Sequence, residues 1–180
     1  MNKALVGALV GGLILFIWQF LSWTILPINS SEMAYTDKQD EILECLAASG
    51  IEDGTYFLPN LAPGYTSEDY KAYQENMEGN PWALIRYRTE AHTNMPLNMI
   101  RALVVDVLAV FFLCYILTGI PDLSFQKTII SSVMVGLIGF FTISYLDSIW
   151  FESNAVSYLL DSLVQWILVG SWLGWWLTRK

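Results

Sequence analysis

Apolar residues run almost unbroken through four stretches of the chain, Leu5–Leu26, Leu97–Gly119, Thr128–Leu146 and Ala155–Leu177. At ~1.5 Å of rise per helical residue, each is long enough to cross about 30 Å of hydrocarbon. The pattern therefore predicts four transmembrane helices. The first stretch follows Lys3 as the core of a secretory signal would, but it is longer than such a core and no small-x-small cleavage site follows it. It is read as a retained helix.

Between the first two spans the pattern changes. Thr36 is placed to cap a helix beginning Asp37-Lys38-Gln39, with Ile42, Leu43 and Leu46 on one face and Gly50 at its end. Gly54–Pro59 reads as a short strand stopped by proline. After Pro63-Gly64, Thr66 or Ser67 caps a second helix to about Glu78, and Trp82–Arg88 alternates as a second strand. The expected architecture is an all-α membrane protein, a four-transmembrane-helix bundle, with a small α+β extracytoplasmic domain inserted between helices 1 and 2. Its divisions are residues 1–26 for the first span, 27–96 for the cap, and 97–119, 128–146 and 155–177 for the other spans.

Composition supports the membrane assignment: 54% of residues are hydrophobic, 14% are charged, and eight of the 180 are Trp. Charge then orients the chain. Lys3, Lys127, Arg179 and Lys180 fall on one side if the spans alternate, and basic residues near span ends favour the cytoplasm. Both termini are expected there, with residues 27–96 on the other face. That segment holds twelve acids against Lys38, Lys71, Arg86 and Arg88, a net −8 equal to that of the whole chain. Such a balance excludes nucleic acid as a partner and suits a basic protein or a cation. Tyr35, Tyr56, Phe57, Tyr65, Tyr70, Tyr73, Trp82 and Tyr87 make the same segment rich in rings, which serve equally as core, as headgroup-level anchors or as a docking face.

Polar residues within the spans are the candidate chemistry. Asn154, Tyr158, Asp161, Gln165 and Trp172 form one stripe at helical spacing on the fourth span. A carboxylate in hydrocarbon is expensive, so Asp161 is expected to face protein, water or a partner charge. Counted inward from the outer ends, Gln19, Asp106 and Asp161 lie near one level, with Arg101 just above and Gln165 a turn below. An intramembrane polar cluster of Gln19, Arg101, Asp106, Tyr158, Asp161 and Gln165 is therefore expected. Arg101 and Asp106 sit about 140° apart round their helix and are not expected to pair with each other. Such a cluster either stitches the bundle together or handles a proton or cation.

Glycine marks the expected helix contacts: Gly7, Gly11 and Gly12 in the first span, Gly136 and Gly139 in the third, Gly170 and Gly174 in the fourth. Trp172, Trp175 and Trp176 before Arg179 suggest an aromatic belt. Cys45 and Cys114 lie too far apart in the topology to pair, which excludes a thiol-oxidising enzyme, although Cys45 could join two copies. The single histidine, His92, lies outside the spans, so no haem ligand set is visible. His-Glu-x-x-His, Gly-x-Ser-x-Gly and phosphate-loop signatures are absent, as are the flanking motifs of membrane aspartyl proteases around Asp106 and Asp161. No catalytic residue, metal ligand or cofactor is expected.

Gly11–Pro27 (GGLILFIWQFLSWTILP), Gly54–Pro59 (GTYFLP) and the Trp-rich last span resemble a group of small bacterial four-span inner-membrane proteins. The resemblance implies this topology and a bacterial inner-membrane location, with both termini cytoplasmic and 27–96 periplasmic. It carries over no functional residue. The role expected is non-enzymatic: an accessory or scaffold subunit that meets the lipid bilayer and other integral membrane subunits, or copies of itself. The alternative is a small proton- or cation-linked transporter or channel using Asp106 and Asp161.

Overall fold

The computed structural model describes residues 3–30 and 32–179. In chain order the elements are α1 (Lys3–Thr24), a 3₁₀ turn (Pro27–Asn29), α2 (Gln39–Ala48), β1 (Gly54–Leu58), α3 (Ser67–Met77), β2 (Ala83–Tyr87), α4 (Met95–Thr118), α5 (Phe125–Gly139), a π-helical segment (Phe140–Tyr145), α6 (Leu146–Phe151) and α7 (Ala155–Thr178). They form two compact units, Tyr35–Thr93 and the remainder.

The larger unit contains four helices long and apolar enough to cross a membrane: α1, α4, the continuous rod Phe125–Phe151, and α7. The rod is longer than the expected 128–146 because α5, the π-helical segment and α6 run on without a break. Start signals are plain. Asn94 caps α4 by accepting from Leu97 N–H, with Pro96 in the first turn, and Ser124 caps α5 by accepting from Lys127 N–H. Glu152, in the left-handed region at φ 52°, ends α6.

Backbones approach most closely between α5 and α7, α1 and α4, and α1 and α7, while α4 and α5 meet only marginally. Glycine makes these approaches possible. A Cβ on Gly12 would stand 2.6 Å from the Val107 Cα, and one on Gly11 would stand 2.7 Å from a Val110 methyl. Gly7 faces Leu173 and Trp176, Gly136 receives the Trp166 ring, Gly170 faces Ser132, and Gly174 faces Phe125. Gly139 departs from the expected contact role, because a Cβ there would meet nothing within 4 Å. Leu15, Val110, Leu113, Cys114, Leu117, Val169 and Leu173 form the core that joins α1, α4 and α7.

Lys3 Nζ donates to the Arg179 carbonyl at 2.7 Å, and Gly174 lies against Phe125 just before Lys127. The start of α1, the α4–α5 turn and the end of α7 thus share one end of the unit; Lys180 lies outside the described residues. The tryptophans at that end do more than form a belt. Trp172 Nε1 donates to the Gly7 carbonyl at 3.1 Å and Trp176 Nε1 to the Lys3 carbonyl at 2.7 Å, while the Arg179 guanidinium lies 3.6 Å from the Trp176 ring centroid.

In the smaller unit, β1 and β2 pair antiparallel with Gly54 opposite Tyr87 and Leu58 opposite Ala83. Thr66, not Ser67, caps α3, and the box is closed by Asp69. The α2 start differs from expectation: Lys38 occupies the cap position and Thr36 Oγ1, two residues earlier, accepts from Lys38 N–H. Asp53 clasps the hairpin ends, accepting from Thr89 N–H at 2.8 Å and from Thr89 Oγ1 at 2.9 Å. Tyr87 is the single buried residue of this unit.

Candidate functional site

Asp161 projects from α7 into a ring of donors. Its Oδ1 accepts from Trp18 Nε1 at 3.2 Å and from Ser22 Oγ, and its Oδ2 accepts from Asn29 Nδ2 at 2.9 Å. Asn29 Nδ2 also reaches Ser22 Oγ at 2.9 Å, so helix α1, the 3₁₀ turn after it and α7 close on one carboxylate. The turn forms where Pro27 ends the helix beyond Thr24, and it swings the short Asn29 side chain back over Ser22. Every donor to Asp161 is neutral.

One turn earlier on α7, Glu32 makes a second closure. Its carboxylate accepts from Asn154 N–H at 3.2 Å and from Tyr158 Oη at 3.1 Å. Ser157 Oγ donates to the Ile28 carbonyl at 2.7 Å. The segment after α1 is thereby fastened to the start of α7 by three bonds. Of the polar stripe read on α7, Tyr158, Asp161 and Trp172 bond α1 or the segment that follows it.

Asp106 is on the other side of α1. It is buried on α4, accepts from Gln19 Nε2 at 3.2 Å through Oδ1, and its Oδ2 has no hydrogen-bond partner among the described residues. The hydrogen bonding of the expected cluster is therefore divided, although Gln19, Tyr158, Asp161 and Gln165 border one cleft. Gln19 serves Asp106, Tyr158 serves Glu32, and Asp161 has its own donors. Arg101 is exposed and forms no ion pair among the described residues, where the ion pairs are Lys38–Glu41 and Glu90–His92. The reason is its place on the helix, turned from Asp106 by the spacing of five residues.

Gln165 lies in a cleft of about 330 Å³ between α1, the π-helical segment and α7. Gln19, Trp23, Gly139, Phe140, Ile143, Ser144, Tyr158, Asp161 and Trp166 also border it. The Gln165 amide makes no hydrogen bond among the described residues, and the open space beside Gly139 belongs to this cleft. A π-helical turn inserts an extra residue into the helix and widens it locally, a feature frequent at working sites. Here it puts Phe140, Ile143 and Ser144 on the cleft wall.

Trp18, Ser22, Asn29 and Glu32 escaped the sequence reading. Ser22 carried a signal, because it extends the face of Gln19. Trp18 had the appearance of a belt residue, and Asn29 and Glu32 lie beyond the helical period.

Comparison with protein families, with curated proteins and with solved structures gives no match. What the fold and site define is a protein with four helices able to cross a membrane and hydrogen-bonded carboxylates between them.

Proposed function

We propose that the chain is a non-enzymatic integral protein of a bacterial inner membrane, an accessory or scaffold subunit of a larger membrane complex. Both termini face the cytoplasm and residues 27–96 face the periplasm. The observation that carries this reading is the use made of Asp161: both of its oxygens are occupied by donors from α1 and the following turn, so it ties helices together. The basic residues Lys3, Lys127 and Arg179 at one end support the orientation. Crosslinking in native membranes followed by mild-detergent purification and mass spectrometry is expected to recover a second integral membrane protein. A monodisperse lone chain with no crosslinked neighbour would overturn the reading.

One observation favours the alternative, a small transporter of protons or cations: the cleft reaches Asp161. On that reading, reconstituted vesicles carry a flux that Asp161→Asn abolishes. Equal flux from the two proteins would exclude it.

A further inference from the structure

We propose that the cleft between α1, the π-helical segment and α7 binds a lipophilic organic cation, with Asp161 supplying the charge and Trp23, Phe140, Tyr158 and Trp166 supplying ring surface. The site depends on the membrane placement of the spans and on neither of the two roles above. A volume of about 330 Å³ lies within the range of small-molecule sites, roughly 300–1,000 Å³.

Charge selects the ligand class. Three neutral groups donate to Asp161, and among the described residues no Lys, Arg or His lies within ion-pair distance of it. In a low-dielectric span the field of such a carboxylate is weakly screened. An anionic headgroup is therefore repelled. A hard metal ion needs several oxygen ligands, and both Asp161 oxygens already accept hydrogen bonds. A bulky cation needs neither a vacant lone pair nor a coordination shell. It is attracted through space by the carboxylate and by the faces of aromatic rings.

Two further features fit an occupant. The Gln165 amide stands in the cleft without a hydrogen-bond partner among the described residues, leaving its carbonyl oxygen available to a cation. A Cβ on Gly139 would meet nothing within 4 Å, so the missing side chain there helps keep the cleft open.

The test uses the full chain in lipid nanodiscs, with methyltriphenylphosphonium as the probe and uncharged triphenylphosphine oxide as its neutral counterpart, read by isothermal titration. The phosphonium is expected to bind saturably at one site and the oxide at least tenfold more weakly. Asp161→Asn is expected to weaken phosphonium binding at least tenfold. Gly139→Leu, which fills the cleft and keeps the Asp161 carboxylate, is expected to do the same, so the proposal stays testable if the first variant fails to fold. Asp147→Asn removes a carboxylate from exposed α6 and is expected to leave binding unchanged. Oxide binding as tight as phosphonium binding, unchanged affinity in both cleft variants, or an equal loss in Asp147→Asn would each overturn the proposal.

Discussion

Asp161 shows what a single side chain can fix when it lies in a span. Replacing it with Leu leaves the Trp18 indole N–H, the Ser22 hydroxyl and an Asn29 amide hydrogen without their acceptor, and unmet donors cost roughly 1–3 kcal/mol each. Asp161→Asn is expected to be far milder, because the Asn29 Oδ1, buried and unpartnered, can turn toward the new amide. Thermal unfolding in detergent checks the pair: a large loss for Leu and a small one for Asn. Equal losses would mean that charge, not hydrogen bonding, holds the helices. Gly12→Leu makes a second prediction at this scale. Its Cβ would press on the Val107 backbone, which cannot yield as a side-chain tip can, so α1 and α4 must separate, at a cost of about 1–3 kcal/mol or more. Gly139→Leu, with open space beside it, serves as the control and is expected to leave the melting temperature nearly unchanged. Legibility at this scale followed cost. Asp106 and Asp161 stood out because a carboxylate in a span must be met by something. Ser22 stood out only by its place on the face of Gln19, because a serine in a helix commonly bonds the carbonyl four residues back, as Ser132 and Ser171 do here.

Elements were legible in proportion to the regularity of their signal. The four long apolar helices and both strands lie where apolar length and alternation place them, and Thr66, one of the two caps the sequence offered, starts α3. The π-helical segment was not legible, since Phe140–Tyr145 is as apolar and periodic as its flanks. The cap's hairpin gives a prediction in pH. The hydrogen bonds from Thr89, backbone first and then side chain, hold the Asp53 carboxyl below its usual 3.8, and those from Thr66 do the same for Asp69. A carboxylate whose value is depressed in the folded state stabilises that state above 3.8 and loses its contribution as pH falls through the lowered value. The amide proton shifts of Thr89 and Thr66 are thus expected to titrate with midpoints below 3.8. Midpoints at or above that figure would show that the clasps do not hold in solution.

At the scale of the molecule, the two units differ in how they are held. The larger unit has a continuous core and inter-helix hydrogen bonds along α1 and the turn after it, from Lys3 and Gly7 at one end to Ser22 and Asn29 at the other. The cap buries one residue, Tyr87, and relies on capping, the five-residue strand pairing and ring stacking such as Phe57 on Trp82. A domain with so little buried apolar surface falls short of the entropy it must offset. Residues 35–93 expressed alone are expected to show no cooperative thermal transition by circular dichroism. A sharp sigmoidal melt would contradict this and make the cap an independent domain.

The sequence by itself determined four helices long and apolar enough to cross a membrane, two short strands between the first two of them, and the carboxylates those apolar helices carry. Those properties rest on local composition and period, which hydrocarbon thickness and burial cost read directly. Only the tertiary structure decided which groups meet. Gln19 went to Asp106, Tyr158 to Glu32, and Asp161 to Trp18, Ser22 and Asn29, while Arg101 stayed exposed. Helical period gives a residue's face and depth on its own helix but not the rotation of one helix against the next. That rotation is set by where glycine lets backbones touch, by the turn that Pro27 starts and by the extra residue of the π-helical segment.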